Sequence, residues 1–185
     1  MIEIFILSFI QGIAEFLPVS SSSHLIIASD YLELEKSLSI DVSLHLGSFL
    51  AVIVYFYKDV LNFYKDRILF FKIIISSIPV MLVGLILVET NFVEKIRNIE
   101  SIAWTTLIFG ILLFISDKFK KEKTIEKNFS LKAAIFIGFL QILALIPGVS
   151  RSGIAITAAR FLGFERVGSA KISFLISIPI LCAVS

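Results

Sequence analysis

Gln11-Gly12-Ile13-Ala14-Glu15-Phe16-Leu17-Pro18-Val19-Ser20-Ser21-Ser22-Ser23-His24 is an apolar run carrying a glutamine and a carboxylate, which meets a proline and reopens as a serine cluster ending in histidine. It has an echo far along the chain, Gln141-Ile142-Leu143-Ala144-Leu145-Ile146-Pro147-Gly148-Val149-Ser150-Arg151-Ser152-Gly153. Each copy is an apolar run with a glutamine, a proline break, and a polar cluster that opens a second apolar run. Backbone that leaves the helix inside lipid must find partners in protein or in a water-filled cavity. Two interrupted segments at corresponding places in two halves point to a binding site near the middle of an inverted-repeat membrane protein. The doubled motif therefore predicts one site assembled from both halves.

The repeat extends beyond the motifs. Setting Pro18 against Pro147 pairs Ser21 with Ser150 and Ser23 with Ser152. After a one-residue slip, 39–47 sets against 169–177, with Ser43 on Ser173. A second half that retraced the first would continue past Ser185 with further spans, so the second repeat reads as incomplete.

Composition fixes the solvent. With 57% hydrophobic and 17% charged residues and a mean hydropathy of +0.96, the chain lacks the polar surface a soluble domain of 185 residues needs. The start is not a cleavable leader: Glu3 stands where a basic region belongs, and no small-residue cleavage site follows. A net charge of +2 excludes a nucleic-acid binder. Cys182 is the single cysteine, so no intrachain disulfide forms. The reading is a single integral membrane domain over 1–185. It comprises a first repeat at 1–57, intervening spans and a basic loop at 58–130, and a second repeat at 131–185.

Runs at 40–57, 68–88 and 102–116 have span-like length and hydrophobicity, the last one short. The broken units occupy 4–28 and 131–162, and another apolar span begins at 172–184, interrupted by Pro179. Lys118, Lys120, Lys121, Lys123, Lys127 and Lys132 make one loop strongly basic, and Lys58, Lys65 and Arg67 another. The loops at 89–100 (Lys95 and Arg97) and at 30–41 (Lys36) are poorer. The positive-inside rule places the first two in the cytoplasm. Lys72 reads as a snorkelling lysine, and Trp104, Tyr55 and Tyr57 as an interfacial belt. The expected fold is all-α: a polytopic membrane protein with two broken, re-entrant helix–turn–helix units in an inverted repeat.

The motifs carry chemistry. Gln11 and Glu15 are four residues apart and share a helix face. A carboxylate inside a membrane segment lines a cavity or pairs with a cation. Pro18 ends the half-helix, and Ser20–Ser23 can cap the next one, whose free N–H groups make an anion site. His24 in its first turn can exchange a proton near neutral pH. The second motif adds Gly148 at the turn, hydroxyls at Ser150 and Ser152, and Arg151, whose planar fork suits phosphate oxygens. Face to face, this set suits a phosphate-bearing substrate with an apolar body. A proline–serine turn alone is more often a kink, and His45 in Leu44-His45-Leu46-Gly47 reads as a buried, hydrogen-bonded residue rather than a catalyst.

These residues resemble the undecaprenyl-diphosphate phosphatase, or bacitracin-resistance protein, family. Its (E/Q)xxxE element is similar to Gln11 and Glu15, its FLPxSSxxH element to Phe16 through His24, and its PGxSRS element to Pro147 through Ser152. Ser23 stands where the family has glycine and Ala155 where it has threonine, and the family continues past this length. The resemblance implies hydrolysis of undecaprenyl diphosphate to the monophosphate in a bacterial plasma (inner) membrane, multi-pass, with the site facing outward. It also implies renewal of the peptidoglycan lipid carrier and reduced bacitracin sensitivity. It implies a divalent cation (Mg²⁺ or Ca²⁺) at Gln11 and Glu15, and a polyprenyl diphosphate as partner, and it is compatible with a homo-oligomer. By position, Glu15, Ser21, His24 and Arg151 would be catalytic. Ser21 would be nucleophile or phosphate ligand and His24 its proton-transfer partner, while Ser20, Ser22, Ser150, Ser152 and Gly148 would bind substrate. The competing readings are a lipid-phosphate transporter using the same broken helices and an inactive, shortened paralogue.

Overall fold

A computed structural model describes residues 2–32, 34, 38–90, 98–118 and 122–184. In order, the helices are α1 (Ile2–Ala14), α2 (Ser21–Tyr31), α3 (Leu38–Tyr55), the short α4 (Tyr57–Asn62), α5 (Arg67–Glu89), α6 (Ile99–Lys118), the one-turn α7 (Ile125–Asn128), α8 (Leu131–Gln141), α9 (Arg151–Leu162) and α10 (Arg166–Val184). A 3-10 turn at Ile142–Leu145 follows α8. The described residues form no strand, only an isolated bridge between Lys123 and Phe164. The all-α class read from the sequence holds.

Three helices are long and apolar enough to cross a bilayer, over Arg67–Leu87, Ile99–Lys118 and Arg166–Ala183. The second is longer than the 102–116 read from hydropathy, because the polar Glu100 and Ser101 belong to its first turn. The third starts at Arg166 and runs through Pro179 without a break. The expected interruption is overridden by packing, since Ile172, Leu175, Ile176 and Leu181 are fully buried along it. The span expected at 40–57 is instead α3, with a shorter apolar stretch at Val42–Tyr55. Phe56 leaves helical geometry before α4 begins. Of the loop cations used for orientation, Lys36, Lys95, Arg97, Lys120 and Lys121 lie outside the described residues.

Both breaks are helix–turn–helix units. α1 ends on the bond from the Glu15 N–H to the Gln11 carbonyl (2.9 Å), and Ser20, in extended geometry, caps α2. In the second unit Ser150 caps α9, its hydroxyl accepting the Gly153 N–H at 3.1 Å. Gly148 turns the chain at φ +92°. A side chain there would be strained by the backbone and would also meet Thr105 and the Ile102 carbonyl.

Three carbonyls freed by the breaks take side-chain donors from elsewhere in the fold. Thr105 donates to the Pro147 carbonyl (2.6 Å) and Thr106 to that of Gly148 (3.1 Å). The Leu17 carbonyl accepts Ser152 Oγ at 2.6 Å and Ser150 Oγ at 3.5 Å. Each break is thus satisfied by a partner far away in sequence, as backbone at membrane depth requires.

The hydrogen bonds also correct the register of the repeat. Ser20 and Ser150 are both helix caps. Ser20 Oγ lies 3.3 Å from Ser22 Oγ, and Ser150 Oγ 3.0 Å from Ser152 Oγ. The equivalent pairs are therefore Ser20/Ser150 and Ser22/Ser152, not Ser21/Ser150 and Ser23/Ser152. The slip placed after the motif falls inside the turn, where Gly148 is the extra residue.

The second unit sits in the main core. Ala133, Ala134 and Ile137 of α8 and Ala155, Ala158 and Ala159 of α9 pack with Ile172 and Ile176 of α10. Small residues allow close approach: a Cβ on Gly138 would lie 2.6 Å from the Ser76 carbonyl of α5. The first unit joins a smaller cluster around Leu7, Leu25 and Leu44. At the far end of α9, buried Arg160 donates to the carbonyls of Phe164 (2.8 Å) and Asp117 (3.0 Å) and lies 3.2 Å from the Asp117 carboxylate. Lys123 ties the same end down, donating to the Leu162 carbonyl at 2.8 Å. Lys72 does not snorkel but donates to the Phe129 carbonyl at 2.6 Å, where the chain enters α8.

Candidate active site

Glu15 is the hub. It stands at the end of α1 with its side chain 5% exposed. One carboxylate oxygen pairs with Arg151 Nη2 across 136 residues. The other accepts Ser21 Oγ at 2.6 Å and Gln11 Nε2 at 3.0 Å. A buried carboxylate needs such partners, because desolvation without them would cost several kcal/mol. Gln11 is one helical turn back, so α1 presents both groups on one face, as the spacing predicts. Ser21 reaches Glu15 because Pro18 reverses the chain and the α2 cap places its first residue beside the end of α1.

These groups line a cavity of about 250 Å³ formed by Glu15, Ser20, Ser21 and Ser22 from the first unit and Ser150 and Arg151 from the second. His45 of α3 completes its polar wall. The two motifs thus meet as the repeat predicts.

Other expected site residues fall elsewhere. His24 is exposed on α2 and does not line this cavity; its Nδ1 lies 2.7 Å from the Ser20 carbonyl. Ser21 is oriented by Glu15, not by His24. Gly148 is buried and serves the turn, its carbonyl held by Thr106. Ser152 is a clip, spending its hydroxyl on the Leu17 carbonyl. Ser23 donates to Ser20 Oγ at 2.8 Å, and Ala155 is packed in the core. His45, expected to be buried and hydrogen-bonded, is half-buried and engaged, and it also lines the cavity wall. The signal was its position three residues before Ser48, on the α3 face where Ser48 Oγ lies 3.4 Å from Gln11 Nε2.

A hard divalent cation fits this donor set. Gln11 Oε1 is buried without a hydrogen-bond partner, while its Nε2 faces Glu15; an unpaired buried amide oxygen suits Mg²⁺ or Ca²⁺, and a turn of the amide would bring it to the carboxylate side. Among the described residues no three His, Cys, Asp or Glu side chains converge as a self-sufficient metal cage. The fit is therefore to an ion shared with substrate phosphates.

The sequence profile of the family described as bacitracin resistance protein BacA matches residues 4–185. The chain belongs to that family. An undecaprenyl-diphosphatase of Pelagibacter ubique (strain HTCC1062) is 51% identical over 187 residues, covering 100% of this chain and 73% of its own. One of Roseobacter denitrificans is 42% identical, covering 99% of this chain and 74% of its own. One of Saccharophagus degradans is 43% identical, covering 95% and 71%. The matched region contains every residue of the Glu15–Arg151 site.

Proposed function

We propose that this protein is a membrane hydrolase that converts undecaprenyl diphosphate to undecaprenyl phosphate and phosphate, renewing the lipid carrier for peptidoglycan synthesis. The observation that carries this reading is the Ser21–Glu15–Arg151 constellation. A hydroxyl held 2.6 Å from a carboxylate is poised to lose its proton as it attacks. Arg151 stands beside it to receive charge developing on phosphate oxygens. Ser21 acts as nucleophile on the terminal phosphorus, Glu15 takes its proton, and undecaprenyl phosphate departs. Water then releases phosphate from Ser21. A lipid-phosphate transporter would need an anion site but not this hydroxyl–carboxylate pair.

An apolar substrate body is accommodated nearby. Phe16, next to Glu15, begins an apolar groove of about 400 Å³ completed by Val52, Phe56 and Phe174. Gln11 and Glu15 would hold a divalent cation together with the phosphates, and when bound it polarises phosphoryl oxygens. The setting is the bacterial plasma membrane, crossed several times. We place the two units as re-entrant from opposite sides. For the second unit this is supported by the anchoring of its end beside Lys123 in the basic loop.

The test is phosphate release from undecaprenyl diphosphate by purified protein in detergent, with and without chelator. Turnover abolished by chelator and restored by Mg²⁺ or Ca²⁺ is expected. No release at any cation concentration overturns the hydrolase reading; chelator-insensitive release overturns the cation.

A further inference from the structure

The cavity is polar on three sides, and one side rests on a single residue. The first unit supplies Glu15 and its serines, and the second supplies Ser150 and Arg151. The wall made by α3, α5 and α10 is otherwise Val80 and Ile180, and only His45 brings nitrogen to it. His45 shares an α3 face with Ser48, one turn on, which contacts Gln11 Nε2 at 3.4 Å. It lines the same cavity as Glu15, Ser21 and Arg151, and the helix that carries it also lines the apolar groove through Val52. His45 therefore stands on the element that joins the groove for the lipid body to the polar cavity.

We propose that His45 is a diphosphate ligand, its ring N–H donating to the phosphate that remains with the lipid while Arg151 and Ser21 engage the terminal one. An imidazole has two ring nitrogens, so one can serve the phosphate while the other keeps a partner within the protein, and the role is that of a directed donor. It gains strength from an anionic acceptor in a partly desolvated cavity. Donation to a non-bridging oxygen of that phosphate falls on both ground state and transition state, because those oxygens carry charge before the anhydride bond breaks. Loss of such uniform binding raises KM and leaves kcat. The inference rests on the hydrolase reading for its substrate, but not for its ligand chemistry.

The test compares His45→Leu with His45→Gln, the second keeping an N–H donor. With undecaprenyl diphosphate, His45→Leu is expected to raise KM tenfold or more with kcat within threefold of wild type. His45→Gln should restore KM to within about threefold. Equal KM for wild type and His45→Leu overturns the proposal, as does a glutamine variant as impaired as the leucine one. Should His45→Leu not fold, judged by its thermal melt, His45→Met against His45→Gln carries the same comparison. Binding of methylenediphosphonate, read by calorimetry, separates the two readings. A protein that binds it tightly, loses that binding with His45→Leu, and releases no phosphate sinks the hydrolase but keeps the ligand. Unchanged binding in the leucine variant sinks the ligand whatever the turnover.

Discussion

The two broken units share a plan but not a setting. α9 is buried along most of its length, from Ser152 through Arg160, whereas α2 buries only Ser23 and Leu25. α8 is clamped to α5 by Gly138 and by Gln141 Nε2 on the Ser76 carbonyl (3.3 Å). α1 instead leaves Ile2, Phe5 and Phe9 exposed. The second unit is an anchored platform presenting one cation; the first is a more lightly packed arm carrying the carboxylate and the hydroxyl. Burial and chemistry are divided between the copies.

The largest test of that division removes the hub. Glu15→Gln should lower kcat by about 10²–10⁴-fold, the worth of a general base, and should also lower thermal stability because Arg151 loses its ion-pair partner. Activity within tenfold of wild type would reduce the first unit to scaffolding. Next comes the cation of the platform. Arg151→Lys should lose about 10²-fold, close to Arg151→Ala, since a point charge cannot reproduce a planar fork. A lysine variant near wild type would make Arg151 a steering charge.

A third comparison uses the corrected register, in which Ala158 of α9 stands opposite Ala28 of α2. Ala158→Leu should destabilise by about 1–3 kcal/mol, as overpacking a full core does. Ala28→Leu should cost less than half of that in the same denaturation assay. Equal losses would show that the two units are packed alike after all. The smallest expected effect is on the turn. Thr105→Val leaves the Pro147 carbonyl without its donor and should cost about 1–2 kcal/mol. The isosteric Thr90→Val, far from both breaks on an exposed residue, provides the baseline.

What was legible in the sequence follows the strength of each signal. The proline breaks, the i to i+4 pair of Gln11 and Glu15, and the meeting of Glu15 with Arg151 were readable, because polar groups at membrane depth must find one another. The one-residue offset between the copies falls at Gly148: a single inserted glycine leaves no hydrophobic trace, and only the matching Ser20–Ser22 and Ser150–Ser152 contacts after the turns mark it. His24 lies on the exposed side of α2, and sequence proximity to Ser21 says nothing of which side of that helix faces the cavity. The place of His45 on the cavity wall was not legible, because the other polar groups of that cavity come from the two broken units rather than from α3. Lys72 looked like a surface lysine because its acceptor, the Phe129 carbonyl, is 57 residues away.

The bond from Ser152 to the Leu17 carbonyl spans 135 residues, and that separation is also a delay. Chains are synthesised at about 5–20 residues per second, so the first break is made roughly 7–27 seconds before its partner exists. During that interval Leu17 and Glu15 must be held by water, by the insertion machinery, or near the interface. The arm can settle at its final depth only when the platform arrives. Biogenesis of the first half is thereby made conditional on the second, and a ribosome stalled before Ser152 would leave an arm with nothing to close upon.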